Sequence, residues 1–328
     1  MPGIEEAQTL RIPKTILLTS IGILFAFIVF IVVHFSEIKQ FGKLLEHAQP
    51  QWLLLAALCQ VGTYFCAGAV WGTIVKEAGH TISFKNLARM SVEKLTVDQL
   101  VPTGGVSGNV VIYQVMRHMG LPDFVALEAL IIDIFSHYLA SACMVASALA
   151  VLWFSHGIPH VVQIVASVFS VIMVGIPSLI QYVVRNPHRK LPLWVSRFSP
   201  ISQGVDVVRS VSHERLYSVK ILVYSTVFTV GIYLLDTITL WAMMKVTGYG
   251  IGLLPAFAAL VIAYISGVIT LLPGGIGGFE AGCIFILTLY GVPIEAALTG
   301  TLLLRGFILW LPLVPGLVLV QKDVRVKF

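Results

Sequence analysis

The chain has 328 residues, 57% of them hydrophobic and 11% charged, with a mean hydropathy of +0.92. Soluble domains carry roughly one-quarter charged residues, so a water-soluble fold is excluded and an all-α polytopic integral membrane protein is expected. The formal net charge of +5 sits mostly in loops, which favours membrane lipids with anionic headgroups over nucleic acid as the partner.

A helix needs about 20 apolar residues to cross the hydrocarbon core. In chain order, such stretches fall near 15–35, 51–75, 125–153, 160–184, 219–245 and 297–320. The first is too long for a signal peptide and no small-residue cleavage site follows it. Two further apolar stretches, about 92–116 and 254–290, are interrupted by proline and clustered glycine. Each reads as helix, break, helix, giving about six full spans plus two re-entrant helical hairpins; in the alternative both broken segments cross fully, which changes the side of several loops but not the final parity.

The densest basic loop, with Arg185, Arg189, Lys190, Arg197, Arg209, Arg215 and Lys220, lies between spans four and five and is expected in the cytoplasm. It joins halves 1–184 and 219–328 of a single transmembrane domain, 1–328. Counting outward from it puts both termini in the cytoplasm, whereas the loops near 154–159 and 246–253 hold no Lys or Arg. An amphipathic helix is expected near 203–217, with Val205, Val208, Val211 and Leu216 on one side; a solvated loop explains the same residues.

The two breaks resemble one another. The first reads Pro102-Thr103-Gly104-Gly105-Val106-Ser107-Gly108 and the second Pro273-Gly274-Gly275-Ile276-Gly277-Gly278. Entering from opposite faces, they form the arrangement of an inverted repeat, in which discontinuous helices meet at a substrate site near the midplane. Broken helices free backbone N–H groups that hydrocarbon cannot satisfy. Such groups at a helix start suit an anion such as a phosphate. The competing reading is that the glycines permit close helix packing. Neither break is followed by the Lys-Ser/Thr of a nucleotide-binding loop.

Ionisable residues at membrane depth mark function or a structural polar contact. Asp133 and His137, four residues apart, share a helical face and suit a proton relay, and Asp236 invites the same reading. Glu280 directly follows the second break and Arg305 lies mid-span in the last helix, where a carboxylate or phosphate partner is required; the two can pair across the hairpin. Cys59, Cys66, Cys143 and Cys283 all sit in apolar runs and read as reduced packing residues. His156 and His160 are separated by Gly157 and Pro159, which break the helix that would align two metal ligands. Neither a metal, a cofactor nor a catalytic constellation is expected.

From Pro273 onward the pattern becomes specific: the glycine break followed by Phe279-Glu280, then Tyr290-Gly291-Val292-Pro293, Ala296-Ala297, Leu304-Arg305, Pro312 and Pro315-Gly316. This resembles the lysylphosphatidylglycerol synthase transmembrane family, the flippase-like membrane domain of bacterial lipid-aminoacylating proteins and their stand-alone relatives. The resemblance covers nearly the whole chain and implies a lipid-handling role in a bacterial inner membrane. It places Glu280 and Arg305 in the second motif and Pro102, Gly104, Gly105 and Gly108 in the first. Relatives often carry an acidic residue after the first glycines and a base shortly beyond; here Asn109 takes the acidic position and the nearest base is Arg117. Without the soluble aminoacyl-transfer domain of two-domain members, the 328 residues are not expected to synthesise lysyl-lipid.

The leading expectation is therefore a lipid translocase or lipid-binding transporter. Its substrate-binding residues are Pro102, Gly104, Gly105, Gly108, Asn109, Pro273, Gly274, Gly275, Gly277, Gly278, Glu280 and Arg305. Two alternatives remain open: a proton-coupled solute transporter using Asp133 and His137, and a non-transporting scaffold that partners a lipid-modifying or lipid-linked glycan enzyme.

Overall fold

The computed structural model describes residues 49–100, 106–185, 218–270 and 272–319, apart from 314 and 317. All belong to one compact unit, 48–328. The expected first span at 15–35, the amphipathic segment at 203–217, and Pro102, Gly104 and Gly105 lie outside the described residues.

Among the described residues nine α-helices follow one another and there is no strand: α1 (Pro50–Glu77), α2 (Phe84–Leu100), α3 (Val106–His118), α4 (Asp123–Ser155), α5 (His160–Arg185), α6 (Val219–Val246), α7 (Leu253–Thr270), α8 (Gly278–Leu289) and α9 (Ile294–Arg305). Local chemistry sets their ends. Pro50 opens α1, where a missing N–H costs nothing, and Gly79, at φ 82°, follows its last turn. After Arg305 the last helix widens into a π turn, Gly306–Trp310, in which the Leu311 N–H reaches back to Gly306 O.

Among the described residues, five helical stretches are long and apolar enough to cross a bilayer: α1, α4, α6, α7 and the extended last helix, Ile294–Leu313. The chain is thus an all-α polytopic membrane protein. Two expected boundaries shift. The first broken segment starts at Phe84 rather than near 92, because the polar run through Lys85, Asn86 and Arg89 hides a helix from a hydropathy reading. The last span starts at Ile294, on Pro293, rather than at 297.

Contacts at the helix ends define two faces of the bundle. On one face Lys220 Nζ, at the start of α6, lies 2.7 Å from Glu77 Oε1, at the end of α1. A groove there is lined by Gly79, His80 and Ile82 together with Gly120 and Leu121. On the other face Trp52 and Trp241 pack edge to face, and Ser155 Oγ lies 2.6 Å from Tyr290 Oη. Helices α2 and α3 therefore leave from and return to the first face. Helices α7 and α8 leave from and return to the second.

The second hairpin is held by backbone proximity. Gly274 and Gly275, at φ 62° and 66°, make the turn that L side chains resist. A Cβ on Gly275 would lie 2.9 Å from Gly267 Cα, and one on Gly282 would lie 2.6 Å from Ser266 Oγ. The glycines of this hairpin thus perform the packing role as well as the turn.

Candidate functional site

The site forms where the end of α2 meets the turn of the second hairpin. The end of α2 packs on the 3₁₀ turn Pro273–Gly275, and Gln99 Oε1 stands 3.0 Å from where a Cβ on Gly274 would be. Arg305 lies beside this junction and is 4% exposed. Its Nε donates to Glu280 Oε1 at 2.6 Å and its Nη2 donates to Gly274 O at 2.6 Å. The guanidinium carbon lies 4.5 Å from the centre of the Phe279 ring, within cation–π range.

Glu280 has two tasks. One carboxylate oxygen holds Arg305; the other accepts the Gly277 N–H at 2.6 Å, closing the start of α8. An arginine at the bilayer centre costs about 2.5–3.5 kcal/mol on insertion scales. The carboxylate and the turn carbonyl offset that cost. Nη1 has no protein acceptor among the described residues.

The first hairpin carries a related constellation that the sequence reading did not single out. Asp98 Oδ1 accepts the Gly108 N–H at 2.8 Å in the first turn of α3, and its Oδ2 lies 3.2 Å from Lys94 Nζ. Lys94 also approaches Asp133 of α4 at 3.9 Å. A Cβ on Gly108 would come within 2.6 Å of the Asp98 carboxyl, so any larger residue there requires Asp98 to move. Asn109 is next in the chain, and its Oδ1 is buried without a hydrogen-bond partner. The usable signal was the i, i+4 pairing of Lys94 and Asp98 immediately before a glycine break.

Among the remaining expected residues, Gly278 is packed against Ser266 O and Thr270. Asp133 and His137 form no hydrogen bond with each other: Asp133 faces Lys94, and the His137 ring lies 6.4 Å from that of Tyr233. Asp236 stands apart from both hairpin tips' ion pairs. It is 4% exposed and accepts from Gln60 Nε2 at 2.8 Å and Tyr264 Oη at 2.6 Å. Gln60 and Tyr264 were missed because a lone polar residue in an apolar run does not disclose its partner. Cys143 is exposed, correcting its reading as a packing residue; the four cysteines are free.

Comparison with known proteins agrees with this architecture. The family described as lysylphosphatidylglycerol synthase TM region matches residues 17–316. A UPF0104 membrane protein of Methanocaldococcus jannaschii is 19% identical over 341 aligned residues, covering 97% of this chain and 98% of that protein.

Proposed function

Because the chain belongs to the lysylphosphatidylglycerol synthase transmembrane-region family, we propose that it is a lipid translocase whose substrate has a phosphate-bearing headgroup. The observation that carries this reading is the meeting of two hairpins from opposite faces beside a buried arginine. Alternating access needs a site reachable from either side by small movements of one hairpin against the other. The headgroup takes the polar junction and the acyl chains stay in lipid.

In this scheme Glu280 occupies Arg305 between transport events. Two oxygens of a phosphate offer the planar guanidinium a two-point acceptor and compete with the carboxylate for it. Asn109, with its unpartnered buried oxygen, lies near the first hairpin's tip and supplies a neutral contact. The face bearing Lys76, Lys85, Arg89, Arg117 and Lys220 is the cytoplasmic one by the positive-inside rule, and both termini belong to that side. No covalent step is required of the chain.

The test is mass spectrometry of lipids retained by the purified protein, compared with the bulk membrane and with Arg305→Ala. Strong enrichment of one phosphate-bearing lipid, lost in the variant, is the expected result. A profile equal to the bulk membrane in both proteins contradicts the reading. Co-purification of a lipid-modifying enzyme, with activity indifferent to Arg305 and Glu280, would point to a scaffold instead.

A further inference from the structure

Asp236 is a carboxyl buried well inside α6 whose hydrogen-bond partners, Gln60 and Tyr264, are both neutral. The other acidic groups near the hairpin tips have cations: Glu280 has Arg305, and Asp98 and Asp133 share Lys94. Four helices pack on α6, namely α1, α4, α7 and α9. From α1 the titratable groups near Asp236 are Cys59 and Tyr64, from α7 Tyr264, and from α6 itself Tyr233. From α4 His137 reaches the Tyr233 ring, and from α9 Arg305 is engaged by Glu280. Among the described residues, none of these places a cation on Asp236. Its ionised form therefore carries an unbalanced charge at membrane depth, where ionisable residues mark ion and proton pathways.

The surroundings suit both states. Ionised, the two oxygens accept from Gln60 and from Tyr264; protonated, the new O–H can donate to the Tyr264 hydroxyl, which is able to accept as well as donate. Tyr264 is also the link to the second hairpin. Its ring packs edge to face on Phe279 at 5.3 Å, and Phe279 is the ring on which the Arg305 guanidinium rests.

We propose that Asp236 is a proton-binding site that couples lipid movement to a proton gradient, with Tyr264 and Phe279 transmitting its charge state to Arg305. The carboxylate takes one proton from water on one side and releases it to the other during the cycle. Nothing else is transferred. The inference rests on the translocase reading for its transport half and on the local geometry for its proton half.

The experiment uses the full-length protein in vesicles containing a fluorescently labelled phosphatidylglycerol, with and without an imposed pH gradient. Infrared spectra of the same preparations at high and low pH are recorded in parallel. At one proton per lipid, a gradient of one pH unit supports about a tenfold difference between leaflets. The wild type should develop such a bias, and Asp236→Asn should equilibrate the leaflets without one. The acid-minus-base difference spectrum of the wild type should contain a protonated-carboxyl band component that is missing from that of Asp236→Asn. Tyr264→Phe, which keeps the carboxyl but removes its partner, should shift the band and reduce the bias; it serves if Asp236→Asn does not fold. Wild-type translocation indifferent to the gradient, or an unchanged bias in Asp236→Asn, overturns the coupling. Absence of any translocation by the wild type contradicts the translocase reading and the coupling with it; the infrared band then upholds or overturns the proton site by itself.

Discussion

The two hairpins solve one problem with different parts. Each breaks a helix and uses a carboxylate to join a backbone N–H beside the break to a cation: Asp98 joins Gly108 N–H to Lys94, and Glu280 joins Gly277 N–H to Arg305. In the first hairpin the acid precedes the break, and its cation lies one turn away on the same helix. In the second the acid follows the break, and its cation comes from the next helix. The cation of the first hairpin also reaches Asp133 of α4. The second is latched to the last span, so any movement of the α7–α8 hairpin has to break or carry along the Arg305 contact.

The largest expected effect tests that latch. Glu280→Ala leaves a buried guanidinium without its carboxylate and should lower stability in detergent by about 3–5 kcal/mol, with most recovered in Glu280→Ala/Arg305→Met. Unfolding curves for the single and double variants check this. Equal losses in both would mean that the pair is not the source of the stability.

Steric substitution sharpens the comparison. Gly278→Leu meets the Ser266 carbonyl and Thr270 and should cost about 1–3 kcal/mol through overpacking. Gly108→Ala meets only the Asp98 carboxyl, a side chain that can swing aside, so its cost should be smaller, measured by the same unfolding curves. Asp98→Ala follows, removing the acceptor of the Gly108 N–H; about 0.5–2 kcal/mol is typical for losing such a cap, since Lys94 retains Asp133. Smallest of all is Lys220→Ala. Its pair with Glu77 is exposed to solvent, and the variant should unfold indistinguishably from wild type.

Hydropathy disclosed α1, α4, α6 and the last helix because the hydrocarbon core demands long apolar runs, and the second break was legible because proline and clustered glycine interrupt such a run. Glu280 and Arg305 were legible for a related reason: a charge at membrane depth is conspicuous against its neighbours. Helix α2 was harder to place, since its polar arm carries Lys85, Arg89, Glu93, Lys94 and Asp98 and looks like a loop by composition. The bond from Gln60 to Asp236 joins residues 176 apart in sequence, and no periodicity within α1 or α6 announces it. Asp133 and His137 share a helical face, but the ion-pair contact of Asp133 with Lys94 of α2 could not be read from that spacing.

The most direct test of the two-hairpin site is a lipid translocation assay in vesicles holding wild type or Arg305→Ala, each shown to be folded by its helical circular dichroism and monodisperse elution. The labelled lipid begins in both leaflets and is quenched from outside. Wild type should expose the inner-leaflet label and Arg305→Ala should leave it protected, as in protein-free vesicles. Equal exposure in the two proteins would contradict a headgroup site built on Arg305.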